Sequence, residues 1–130
     1  MPVKPGKPVL AGDVTETRPA ADGVEAGDPV SINANGEMDT LDEELAGVAR
    51  HDGDNDGRGN AMHLSGAIVA AVADGVEDGD RLAPGAEGAA GTLVTSSGGP
   101  VLALSDEGGT WHGEGINAYD VPDGYAVVHL

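Results

Sequence analysis

The sequence predicts an all-β fold, and three observations carry the prediction. Apolar residues come in short runs rich in Val, Leu, Ile and Ala, each bounded by turn-forming pairs. There are 22 glycines among the 130 residues and no Phe, so the core has to be assembled from aliphatic side chains. Glycine at that density means either disorder or many tight turns, and the apolar runs decide for turns.

Taken in order, the chain opens with a Pro-rich stretch. Prolines at 2, 5, 8 and 19 lock φ and restrict their predecessors, so residues 1–26 read as an extended N-terminal arm. Three of the six cations, Lys4, Lys7 and Arg18, lie in it. Such an arm is either a solvated tail or a strap that docks along an acidic neighbour.

A single β domain is expected over residues 27–130. Its strands are expected around Val30–Ile32, Leu45–Ala49, Ala67–Val72, Thr92–Val94, Val101–Leu104 and Tyr125–Leu130. Asn35-Gly36, Asp52-Gly53, Asp56-Gly57, Pro84-Gly85, Gly108-Gly109 and Asp123-Gly124 mark the reversals, where Gly supplies the positive φ of tight turns. Residues 39–46 carry a weak helical pattern of about two turns, too short to stand alone, and are read as a loop or one helical turn. There is also an internal echo. Ala26-Gly27-Asp28-Pro29-Val30 precedes Gly47-Val48-Ala49, and Asp78-Gly79-Asp80-Arg81-Leu82 precedes Val101-Leu102-Ala103, which suggests one hairpin layout used twice.

Composition removes several functions. With 6 Lys+Arg against 23 Asp+Glu the net charge is −17, which disfavours binding to nucleic acid or an anionic membrane. The longest apolar stretch, 67–73, is far short of the roughly 20 residues a membrane helix needs. No apolar segment follows Met1-Pro2-Val3-Lys4, so no secretory signal is expected. The absence of Cys excludes disulfides, thiolate metal sites and cysteine nucleophiles. Scarce Lys beside abundant Asp, Glu, Gly and Ala is the composition expected of a salt-adapted protein, with an ordinary acidic mesophilic protein as the alternative. At molar salt the Debye length is about 3 Å, and such charge is tolerated.

Few residues point to chemistry. Asp52-Gly53-Asp54-Asn55-Asp56-Gly57 matches the start of a calcium loop, in which alternate carboxylates converge on a hard cation. His63 stands where a bidentate Glu belongs and Gly59 where an apolar residue belongs, so it is not an EF-hand. Ca2+ or Mg2+ held by Asp52, Asp54 and Asp56 in a hairpin loop stays open, against a plain solvated acidic tip. The histidines at 51, 63, 112 and 129 have no zinc-site spacing, and structural or solvated roles are expected for them. There is no G-x-S-x-G and no phosphate loop. With lysines only at 4 and 7, no hairpin tip can carry biotin or lipoate. No catalytic residue is expected, and no cofactor apart from that cation. Trp111, Tyr119 and Tyr125 are the only aromatics. They form either an aromatic end to the core or, through Trp111 and Tyr119, an oligomer contact.

Gly27-Asp28-Pro29-Val30-Ser31-Ile32, Leu45-Ala46-Gly47-Val48-Ala49, Val76-Glu77-Asp78-Gly79-Asp80-Arg81-Leu82 and Gly98-Gly99-Pro100-Val101-Leu102-Ala103-Leu104 come in that order. In sequence and order they resemble the capsid decoration (head cementing) proteins of tailed viruses with HK97-type shells, over about residues 26–106. The resemblance implies a small β-barrel or β-tulip body, trimers on the shell, no catalysis, and an arm that orders on the capsid. The partner it implies is the major capsid protein, and the location the outer capsid surface of a virion made in the host cytoplasm. Salt-adapted composition makes that host a halophilic archaeon. Val3, Lys4, Lys7, Val9, Leu10 and Arg18 are then the expected capsid contacts. Segment 111–130 matches nothing in that family, and the acidic loop is longer than a hairpin needs. Two other classes fit the residues: a salt-adapted, non-catalytic β-domain binding Ca2+ or a small ligand, and a small β-fold enzyme for which no nucleophile or base can be named.

Overall fold

The computed structural model describes residues 3–9, 14–42, 44–50, 60–85, 91–114 and 117–130. Among these, the strands are β1 (Val14–Arg18), β2 (Pro29–Ile32), β3 (Met38–Thr40), β4 (Gly47–Ala49), β5 (Asn60–Ser65), β6 (Ala67–Ala71), β7 (Arg81–Pro84), β8 (Leu93–Thr95), β9 (Val101–Ala103), β10 (Thr110–Glu114), β11 (Asn117–Asp120) and β12 (Tyr125–His129). They form two five-stranded sheets, ordered β1-β5-β4-β2-β3 and β6-β12-β9-β7-β8, and a β10-β11 hairpin. Every ladder is antiparallel.

The two large sheets are one plan used twice. β1 corresponds to β6, β2 to β7, β3 to β8, β4 to β9 and β5 to β12. The registers agree pair by pair. Val30 pairs with Thr40 and Gly47, as Leu82 pairs with Thr95 and Val101. Ala49 pairs with Met62, as Ala103 pairs with Val128. Even the isolated parallel bridges correspond, Ala20 with Met38 and Val72 with Leu93.

The turn entering β2 and β7 shows why the sequence echoes. It reads Asp22-Gly23-Val24-Glu25-Ala26-Gly27-Asp28 in the first module and Asp74-Gly75-Val76-Glu77-Asp78-Gly79-Asp80 in the second. Gly27 and Gly79 have φ of 89° and 92°, a region that disfavours any side chain. The Asp28 carboxylate accepts the Glu25 N–H at 2.9 Å, and that of Asp80 accepts the Glu77 N–H at 2.9 Å. Val24 and Val76 anchor the turns in the core at 4% and 2% exposure. Gly27 and Gly79 then donate to Ala49 O (2.8 Å) and Ala103 O (2.9 Å), tying each turn to β4 or β9.

The core follows the same duplication. Val24, Val30, Met38, Ala49 and Met62 pack inside the first module. Their counterparts Val76, Leu82, Leu93, Ala103 and Val128 pack in the second, together with Leu41 and Val48 of the first, so this larger cluster joins the modules. β6 is buried along its whole length because both faces are covered. Ile68 and Ala70 enter the joint cluster, while Ala67 and Val69 face a third one with Trp111, Val121 and Val127.

The expected barrel or tulip does not form. Both sheets are open, with β1 and β3 as edges of the first and β6 and β8 of the second. Barrel closure needs a ladder between edge strands. Here β3 and β8 are only three residues long, and among the described residues one isolated parallel bridge in each sheet, Ala20–Met38 and Val72–Leu93, is all that reaches across. Of the two readings offered for residues 39–46, the described residues fit the loop: Met38–Thr40 is strand and the described residues after it are irregular.

Segment 1–26, expected as an extended arm, contributes to the body wherever it is described. Val14–Arg18 is β1, paired with β5 from Val14–Ser65 to Arg18–Asn60. Residues 3–9 form a strap along the outer edge of β6. Gly6 N–H donates to Val69 O (2.8 Å), Val69 N–H to Lys7 O (3.1 Å) and Val9 N–H to Ala67 O (2.8 Å).

Candidate functional site

The strap brings together residues that the sequence suggested for two separate roles. Val3 and Val9, expected as capsid contacts, are half-buried against the cluster holding Trp111, Tyr119 and Tyr125. Val3 N–H also donates to Asp120 O of β11 at 3.1 Å. The strap is therefore seated between the edge of β6 and the β10-β11 hairpin. A hollow of about 330 Å³ remains beside it, lined by Val3, Lys4, Lys7, Pro8, Val9 and Tyr119.

Lys4 and Lys7 are exposed and line the hollow alongside these apolar residues. Arg18 is elsewhere, on β1, where its guanidinium pairs with Glu16 and donates to Gly36 O at 3.0 Å. Leu10 lies outside the described residues. Of the expected capsid contacts, Lys4 and Lys7 thus offer free cationic surface, while Val3 and Val9 are engaged within the chain.

Trp111 pairs with Tyr119 across the β10-β11 ladder, with ring centroids 5.5 Å apart and planes tilted by 36°. Trp111 is only 5% exposed and works as core, packing on Val69 and Val127. Tyr119 is half-buried and borders the strap. The hairpin is inserted between β9 and β12. The equivalent connection of the first module, between β4 and β5, carries the acidic loop. Asp52, Asp54 and Asp56 lie outside the described residues, as does His51. Among the described residues no group of three or more His, Asp or Glu side chains is arranged to hold a metal ion.

Two contacts that bear on the strap were not legible beforehand. His63 is fully buried on β5, and its Nε2 lies 2.9 Å from Gly6 O. A carbonyl oxygen only accepts, so Nε2 carries the proton. Gly6 and Gly27 form the second lock. A Cβ on Gly6 would come within 2.7 Å of Ala49 O, and one on Gly27 within 2.6 Å of Pro5 Cβ. The sequence signals for these were a Pro-Gly pair and the Gly-Asp turn, but nothing in them says that the two meet. The counterpart of His63, His129, is exposed, as is His112.

Two other depressions lie among the described residues. A groove of about 620 Å³ runs past Ser31, Ile32, Asp42, Glu44, Leu45 and Ala46. Its one hydroxyl is occupied: Ser31 Oγ donates to Glu44 O and accepts the Asp42 N–H. An apolar hollow of about 270 Å³ lies where the modules meet, among Leu45, Leu64, Pro84, Pro100 and Leu130. Comparison with family models, with curated proteins and with solved structures yields no match to this chain.

Proposed function

We propose that the protein is a structural virion component that binds the outside of an icosahedral, HK97-type capsid and stabilises it without catalysis. The resemblance in residues 26–106 motivates the reading, and the observation that carries it furthest is the duplication. One chain presents two modules of the same topology and register, joined by a shared apolar cluster. A molecule with two like modules suits a surface made of many copies of one subunit. Each module meets one of two neighbouring capsid subunits, and the second contact forms at high effective concentration. Clamping of this kind adds free energy to the assembled shell alone, so it opposes separation of its subunits. Lys4 and Lys7, exposed on the strap, are cations that an acidic capsid surface could meet, and Arg81 on β7 is a further exposed cation. The trimer and the salt-rich host belong to the same proposal and are supported by the resemblance and the composition.

Mass-spectrometric stoichiometry in purified particles tests the reading directly. A copy number close to that of the major capsid protein is the expected result. A few copies per particle would instead assign the chain to a portal or tail, and absence from particles would remove the viral reading.

A further inference from the structure

The strap lies outside the repeated plan, and that singles out the edge it covers. β6 and β1 are counterparts, and each pairs on its inner side with the corresponding strand, β12 or β5, in the same register. On its outer side β6 receives residues 6–9, whereas β1 has no strand there among the described residues. The strap thus has no counterpart in the first module among the described residues. The strap is an added strand, and the outer edge of β6 is a site that accepts one.

We propose that this site also takes residues 3–9 of a second copy of the chain, so that neighbouring copies exchange straps. The occupant is set by the contacts themselves. The ladder to Ala67 and Val69, the Val3–Asp120 bond and the His63–Gly6 bond all run from the strap to the body. Among the described residues only the Lys7–Lys4 turn bond is internal to the strap. The strap of a second copy meets the same partners at the same distances. Pro5 and Pro8 hold its backbone near the bound shape, which lowers the ordering cost of docking in trans. Exchange of an identical element is a low-cost route to oligomers because no new interface chemistry is needed. The −17 charge on each copy opposes close approach in dilute buffer, so exchange rises with salt as that repulsion is screened. The proposal stands apart from the capsid reading and holds for the free protein.

The chain has no Cys, which makes the test clean. The double variant Val3→Cys/Asp120→Cys should close a disulfide within one chain, confirming the seat of the strap. The single variants Val3→Cys and Asp120→Cys, one of them carrying a mass tag, are then mixed at molar salt and oxidised. The expected product is a mixed disulfide dimer whose yield rises with protein concentration and falls severalfold at low salt. An intrachain bond in the double variant, with no mixed dimer at any concentration, overturns the exchange. Failure of the double variant to close overturns the site itself. Should Val3→Cys disturb folding, dye-labelled Lys4→Cys mixed with dye-labelled Asp120→Cys gives the same reading by energy transfer between chains. Transfer supports exchange, and its absence refutes it.

Discussion

His63 holds Gly6. The imidazole of a residue in the middle of β5, wholly out of solvent, donates to a carbonyl of the N-terminal strap at 2.9 Å. That bond ties the first module to a segment lying on the second. Replacing His63 by Ala leaves a cavity and an unsatisfied carbonyl, a loss of roughly 2–4 kcal/mol. Denaturant unfolding at constant salt measures it. Amide exchange gives the local signature: the Val9 and Val69 amides should exchange faster in the variant, while that of Ala103, two strands away from β6 in the same sheet, follows global stability only.

Gly27 and Gly79 hold the same place in the duplicated turn, with φ of 89° and 92°. A Cβ at Gly79 meets nothing within 4 Å, whereas at Gly27 it meets Pro5 Cβ at 2.6 Å and Tyr125 Cε1 at 3.0 Å. Gly79→Ala should therefore cost only the backbone strain, about 1–2 kcal/mol. Gly27→Ala should cost that and roughly 1–3 kcal/mol more, because the strap or the tyrosine has to give way. Equal losses in thermal unfolding would mean that the strap does not press on Gly27.

How much of this was legible in the sequence depends on whether the signal was local. The runs 67–72 and 125–130 announce themselves because both faces of β6 and β12 are covered, so the residues stay apolar without alternation. β1 and β5 were missed because Val-Thr-Glu-Thr-Arg and Asn-Ala-Met-His-Leu-Ser look polar, and only their pairing with each other makes them strands. The Gly-Asp echo was visible and proves to be a whole repeated module. Openness was not visible, since the difference between an open sheet and a barrel lies in whether distant edges meet. The seat of Val3 and Val9 against Trp111 and Tyr119 joins residues a hundred positions apart. No spacing rule reaches that far.

Asp28 and Asp80 make equivalent carboxylate bonds to the Glu25 and Glu77 amides, both at 2.9 Å. Asp28→Ala and Asp80→Ala should each cost about 1 kcal/mol, the worth of a hydrogen bond of this type. The turns sit in different modules, so the double variant should lose the sum. A double-mutant cycle with coupling well above about 0.5 kcal/mol would show that the modules do not respond independently at these turns.

A net charge of −17 makes stability depend on salt. Self-repulsion acts within the folded chain and weakens as the screening length shrinks from about 10 Å at 0.1 M to about 3 Å at 1 M. The melting temperature should climb steeply with KCl and flatten once screening is complete. The acidic-to-neutral set Asp22→Asn, Glu25→Gln, Asp74→Asn and Glu77→Gln, all at exposed positions, should reduce that slope. A melting temperature indifferent to salt would contradict the repulsion argument and the salt-adapted reading with it.

The placement of the strap and β1 changes what a terminal truncation reports. Deleting residues 1–9 removes the strap, opens the outer edge of β6 and uncovers part of the Trp111 cluster, but leaves both five-stranded sheets. Deleting residues 1–18 also removes β1, stripping β5 of a partner that runs its full length and leaving Met62 beside an open edge. The shorter deletion should lower stability by a few kcal/mol, in keeping with the hydrogen bonds and half-buried valines it loses. The longer should bring the first module close to unfolding. Only the shorter variant can then report on capsid binding. If it keeps its β-sheet circular dichroism and still binds shells as the full chain does, the contacts lie on the modules and not on Lys4 and Lys7.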